Sequence, residues 1–264
     1  MMQDAIRAAS RHNILKHLIE RVLTLTPGHT DKLRARGLGL TEIKRQCYAS
    51  APATEAERQR AAEALAPELD AADGGVPGFY YDRGRWQMVY RPSGILIPVR
   101  DGLGHIQALA QRVDEPRDGG KYIWLSSAGR QGGASSGAPV HFAGRHLPFP
   151  AALYCAEEVT ITEGSLKADV ASYLSGSPVI GVAGIHATRG LASRLRVGYP
   201  LLKRVFIAYD RDMMVKGQVL GAAIDLGAQL EAEGFEVKVR TWPAQFKGID
   251  DYLLARVAPR EVAA

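Results

Sequence analysis

The sequence predicts an α/β protein: a Rossmann-like parallel sheet in the C-terminal half, preceded by an α+β basic subdomain with a helical N-terminus. Three observations carry this expectation. From residue 158 onward, short apolar runs alternate with helical patterns, the βαβα rhythm of a parallel sheet covered by helices. Between residues 78 and 125, five strand-like runs follow one another across Gly, Asp and Pro turns. Ahead of residue 70, apolar residues recur at three- and four-residue steps.

The first helix is expected over 4–24, where Ile6, Ile14, Leu15, Leu18, Val22 and Leu23 share a face before Thr26-Pro27-Gly28 closes it. A second covers 29–36, ends at Gly37 and restarts near Thr41; a third runs from Thr54 to Leu69 and stops at Asp73-Gly74-Gly75. Strands follow at 78–81, 86–90, 94–99, 106–112 and 121–125, with a hairpin turn at Asp101-Gly102. Residues 129–137 hold too much Gly and Ser for a regular element and read as a flexible connector. The parallel sheet draws on 159–162, 178–183, 204–209 and 236–242, with helices at 165–175, 188–196 and 217–233 between them. Three segments result: a helical lead-in over 1–75, a basic antiparallel β-rich subdomain over 76–150, and the parallel-sheet domain over 151–264.

Composition narrows the function classes. A chain of 264 residues that is 46% hydrophobic can bury one large core or two modest ones. The net charge of +5, spread along the chain, permits a polyanionic partner. The two cysteines, Cys47 and Cys155, have no companion at metal-ligand spacing, so neither a zinc ribbon nor a disulfide scaffold is encoded. No stretch approaches the ~20 apolar residues of a membrane span, and residues 1–18 lack a signal-peptide core, so a reducing, cytoplasmic setting without membrane contact is expected.

In an open parallel sheet, chemistry sits where loops leave the carboxyl ends of strands. Glu163-Gly164 follows the run Val159-Thr-Ile-Thr, and Asp210-Arg-Asp212 follows Val205-Phe-Ile-Ala-Tyr. Either motif alone is a common polar strand end. Together, on two strands of one sheet, they supply the hard oxygen donors that Mg²⁺ or Mn²⁺ takes while keeping waters for phosphate oxygens to replace. Tyr209 adjoins the acids and reads as strand-end packing, and His141 as a structural residue.

Glu163-Gly164-Ser-Leu-Lys167-Ala-Asp169 followed by Phe206-Ile-Ala-Tyr-Asp210-Arg-Asp212 resembles the Toprim domain of bacterial-type primases, topoisomerases and some nucleases. The resemblance implies that Glu163, Asp210 and Asp212 are metal-binding and catalytic acids, with Lys167 one helical turn beyond the glutamate. Lys247-Gly-Ile-Asp250-Asp251-Tyr-Leu is similar to the family's last acidic motif, and either Asp250 or Asp251 can be the residue that faces the metal. Upstream, Ile97-Pro-Val-Arg100-Asp101-Gly-Leu-Gly-His-Ile-Gln, then Arg112, Lys121-Tyr122 and Ser126, is similar to the basic subdomain of the replicative primase core, and Arg36-Gly37-Leu38 to its helical lead-in. Residues 129–141 and the last acidic motif also resemble Toprim-like proteins of phages and mobile elements.

The resemblance therefore implies a primase-like nucleotidyltransferase that makes short RNA primers on single-stranded DNA from ribonucleoside triphosphates. Arg100, Arg112 and Lys121 are expected on a basic ridge for template or nucleotide, joined by Lys247. Bacterial primases pair this core with a zinc-binding module and a helicase-binding domain, for which these residues hold no counterpart, so the resemblance implies either that partners, a separate zinc-binding module or a replicative helicase, supply those jobs or that the protein is a reduced core that primes weakly. Two other readings use the same features: a Toprim nuclease with water as nucleophile, and a non-catalytic module that binds single strands or a helicase.

Overall fold

The computed structural model describes residues 2–116, 120–144, 151–184, 187–210 and 217–261. Contacts divide the chain into two units, one formed by residues 1–34, 39–101 and 105–139, the other by 35–38, 102–104 and 140–264.

In the first unit, helix α1 (Met2–His17) continues into a π-helical turn over Leu18–Val22, and α2 (Pro27–Arg34) and α3 (Leu40–Gln46) follow. Helix α4 (Glu55–Ala71) opens on a complete capping box: the Thr54 hydroxyl accepts the Glu57 N–H, and the Glu57 carboxylate accepts the Thr54 N–H. Strands β2 (Phe79–Asp82) and β3 (Arg85–Met88) form a hairpin whose two turn residues, Arg83 and Gly84, both adopt positive φ, the conformation a tight two-residue hairpin turn demands.

A four-stranded antiparallel sheet has the order β1-β4-β5-β6, from Ala49–Ser50, Gly94–Arg100, Ile106–Val113 and Tyr122–Trp124. Pro98 fits inside β4 because β1 pairs only with Ile95 and Leu96 and leaves that flank of the strand unclaimed. Leu15, Leu18, Leu65, Phe79, Leu96 and Leu109 pack into its core. Its polar residues are used to hold loops. The Arg91 guanidinium donates to the carbonyls of Tyr90, Trp124 and Ser126 at 2.8, 3.1 and 3.0 Å. Asp114 accepts from Lys32 at 2.5 Å and Ser93 at 2.6 Å and meets the His29 ring at 3.0 Å.

The Gly- and Ser-rich stretch is irregular, as expected, yet it is closed rather than a loose connector. Ser127 N–H donates to the Ala134 carbonyl at 3.0 Å, Ala134 N–H donates to the Ser127 hydroxyl at 3.1 Å, and Gln131 accepts the Tyr81 N–H at 2.8 Å. Gly133 is required there, since a Cβ would collide with the carbonyls of Ser127 and Arg130.

The second unit holds a five-stranded sheet of order β11-β10-β8-β9-β7. β8 (Glu158–Glu163), β9 (Val179–Val182), β10 (Arg204–Ile207) and β11 (Glu236–Val239) are parallel, while β7 (His141–Ala143) runs antiparallel to β9. The sheet is therefore mixed; β7 is too short to show an alternation of its own and was not expected. Helices α5 (Ala151–Tyr154), α6 (Ser165–Ser175), α7 (Leu191–Gly198), α8 (Gly217–Ala232) and α9 (Ile249–Glu261) accompany it, α5 and α9 again beyond the sequence reading. Val159, Ile161, Ile180, Val205, Ile207, Leu226 and Leu230 lie in one core. Gly181 of β9 lets α6 approach: a Cβ there would stand 2.8 Å from the Gly164 carbonyl and 3.0 Å from Ala168 Cβ. Among the described residues, no helix is long and apolar enough to cross a membrane.

Candidate active site

β8 is flanked by β9, which follows it in the chain, and by β10 on its other side, so the strand order reverses at the carboxyl ends of β8 and β10. Such a reversal leaves a crevice between the departing loops. Glu163 is the last residue of β8, and Asp210 lies three residues beyond the end of β10. The two ends are tied beneath the acids by the Thr162 hydroxyl, which donates to the Ala208 carbonyl at 2.9 Å. Gly164 then takes a φ of 79°, which a side chain would strain, and starts α6 directly after the glutamate. Lys167 is thereby carried on the first turn of α6, where its ammonium forms an ion pair with Asp210.

The third acid comes from the start of α9. Asp250 is 4% exposed, and its Oδ1 is buried with no hydrogen-bond partner. A Cβ on Gly248 would lie 2.6 Å from that atom, 3.0 Å from Asp210 Oδ1 and 3.2 Å from Lys167 Cε, so these three groups converge on the space that Gly248 leaves. Asp251 faces elsewhere: it is exposed, and from the third position of its helix its Oδ2 reaches back to accept the Gly248 N–H at 3.4 Å. Of the acidic pair, Asp250 is the residue turned to the site.

Arg36 completes the cluster, a placement the sequence reading missed. Its guanidinium pairs with Asp250 Oδ2 across 214 positions of sequence, and its Nε is buried without a partner. Delivery depends on Gly37, which has φ of 92° and packs so closely that a Cβ would meet Leu254 of α9 at 2.7 Å and Leu174 of α6 at 3.3 Å. No charge or hydropathy pattern marks Arg36; the Gly after it is the one local hint of a tight approach.

Burial of the acids shows in their proton affinities. Burial, and then the Asp210 carboxylate, push the Glu163 carboxyl above its usual range, against the pull of Lys167, the Asp210 backbone N–H and Lys247. Burial also raises Asp250, with Asp251 adding to the shift and Arg36 and Lys167 opposing it. Tyr209, 2% exposed, has a buried hydroxyl with no partner, and burial and Glu163 both raise its pKa. Lys247 is exposed and near enough to influence Glu163. Asp212 lies outside the described residues.

The basic residues of the first unit are less gathered than expected. Arg112 stands opposite Ile95 and Tyr122 in register, and Lys121 immediately precedes β6, so these two share one end of the antiparallel sheet. Arg100 ends β4 beyond a register shift, five residues or about 17 Å along the strand from Ile95, and donates to the Gln46 carbonyl at 3.0 Å.

A divalent cation fits the donor set around Asp210. The donors are carboxylate oxygens, one of them buried and unpartnered, and burial makes two of the acids hold protons more tightly than usual. Among the described residues no three His, Cys, Asp or Glu side chains form a ready cage. Mg²⁺ does not need one, since it is commonly held by one or two carboxylates with water and phosphate oxygens filling the rest.

Comparison with known proteins bears on the fold. Residues 156–259 match the family described as "Domain of unknown function (DUF3854)". No curated protein matches. The zinc-binding and RNA polymerase domains of the Aquifex aeolicus primase superpose with a TM-score of 0.70 at 16% identity, over 97% of this chain and 60% of that one. A DnaG primase catalytic domain bound to ssDNA gives 0.64 at 16% identity, over 98% and 78%. The RNA polymerase domain of Mycobacterium tuberculosis DnaG, in complex with a double-stranded DNA oligomer with a 6-nucleotide overhang, gives 0.63 at 14% identity, over 96% and 80%. This chain has the mixed α/β fold of the bacterial DnaG primase catalytic core and spans 60% of the length of the Aquifex structure.

Proposed function

We propose that the chain is a Toprim-type, primase-like nucleotidyltransferase that joins ribonucleotides into short primers on single-stranded DNA. One observation carries the reading: Asp210 and Asp250 converge with Lys167 at a strand-order reversal, with Glu163 near enough to feel the Asp210 charge, in a chain with the primase-core fold. Binding alone has no use for three crowded acids, two of them kept at raised proton affinity.

The attacking group is a ribonucleotide 3′-hydroxyl and the leaving group pyrophosphate. Glu163, with its raised pKa, is suited to take the proton of the attacking hydroxyl. Asp210 and Asp250, with Asp212, would hold Mg²⁺ or Mn²⁺, which when bound supplies positive charge to both the attacking and the departing oxygens. Lys167 and Lys247 would serve as cations for the triphosphate, and Arg36 pairs with Asp250 and favours its ionised form against burial. Arg112, Lys121 and Arg100 would contact the template backbone, and a separate zinc-binding module or a replicative helicase would bring the template.

The test combines purified protein, Mg²⁺ or Mn²⁺, single-stranded DNA and labelled ribonucleotides. Primer-length RNA should form, and Asp210→Asn should reduce it by at least about a hundredfold. Shortened DNA in place of primers would make the protein a nuclease, and intact DNA with binding alone would make it a non-catalytic module.

A further inference from the structure

Lys167 is an unusual cation for its position. It sits in the first turn of α6, which has no acidic residue, so it faces the positive end of the helix dipole. Its charge is balanced by other elements: Asp210 by a direct ion pair, and Glu163 and Asp250 as neighbours whose ionised forms it favours. Both members of the pair are poorly hydrated, with side chains 15% and 16% exposed, so the pair is shielded from solvent screening. The lysine stem lies against Gly248, in the space where the two aspartates also meet.

We propose that Lys167 sets the divalent-cation affinity of this site by competing for Asp210: its ammonium holds the carboxylate oxygen that a divalent cation would take. The site is therefore a weak binder of the free ion while the pair stands. This inference rests on the reading of these acids as a metal site.

Mn²⁺ binding, followed by electron paramagnetic resonance on the wild type, Lys167→Met, Lys167→Gln and Asp210→Asn, separates the two ideas, with thermal melting as the check that each variant folds. Both lysine variants should bind Mn²⁺ about tenfold tighter or more, since a like charge a few ångströms away is removed from a screened-off site. Asp210→Asn should lose the ion. If Mn²⁺ binds the wild type and is lost in Asp210→Asn, yet a folded lysine variant binds no more tightly, the competition is refuted and the metal site stands. If none of the four proteins takes up Mn²⁺, or Asp210→Asn binds as the wild type does, the metal reading goes and the inference goes with it.

Discussion

Each of the two units buries polar atoms without partners, but the units differ in where those atoms lie. Among the described residues, those of the first unit are scattered over three elements: Arg11 Nε on α1, Arg58 Nη1 on α4 and Gln111 Oε1 on β5. In the second unit they are Arg36 Nε, Tyr209 Oη and Asp250 Oδ1, gathered around the ends of β8 and β10. Their acids differ in the same sense. Burial would raise Asp114 of the first unit, yet hydrogen bonds from Lys32, Ser93 and His29 hold it below the ordinary carboxylate range. Glu163 and Asp250 in the second are held above it. An unsatisfied buried group costs about 1–3 kcal/mol, so concentrating several at one place is poor folding economy. The first unit ties its buried acid down with hydrogen bonds, whereas the second gathers its unpartnered atoms beside acids of raised proton affinity.

The contrast can be broken most directly in the first unit. Arg91→Ala removes three hydrogen bonds to carbonyls and should cost about 3 kcal/mol in urea unfolding. An unchanged midpoint would mean that the cations of this unit are not structural. Gly248→Ala, in the second unit, adds a Cβ against Asp250, Asp210 and Lys167 and should cost about 2 kcal/mol through overpacking while weakening Mn²⁺ binding. Normal stability and normal Mn²⁺ affinity in that variant would show that the acids do not converge there.

The smallest effect has the opposite sign. Glu163→Gln removes one of the crowded charges and should stabilise the protein by about 1 kcal/mol at neutral pH. Because the folded-state pKa of Glu163 is raised, the native state binds its proton over a window in which the unfolded chain has released it. The wild type therefore gains stability from this group as pH falls through the raised pKa towards the ordinary value of 4.5, and loses it as pH rises. Urea titrations of both proteins should thus converge near pH 4.5 and separate towards neutrality; a constant gap would assign the shift to another group.

How much of this could be read in advance depended on the range of the interaction. Helix α6 was legible to the residue, because Gly164 and Gly176 bound an apolar pattern at helical spacing. Glu163 and Asp210 were legible as strand-end acids, since the runs before them are continuous and β-branched. Asp250 and Asp251 looked alike, because which one caps its own helix and which turns inward is decided by packing around Gly248. Arg36 was invisible as a site residue, since its partner is 214 positions away. The Gly- and Ser-rich loop misled for a related reason: composition reports backbone freedom, but the hydrogen bonds that remove it come from Ser127 and Tyr81.

The turn at Gly164 also bears on descent. With α6 starting immediately after Glu163, the angle between the glutamate and Lys167 is set by residue count alone, and one inserted residue would swing the lysine about 100° around the helix axis. Ser165 and Leu166 can change to residues that still pack, but Gly164 and the interval cannot. Relatives that have kept this chemistry should therefore be recognisable by a fixed distance along the chain, even where little else in the helix still matches.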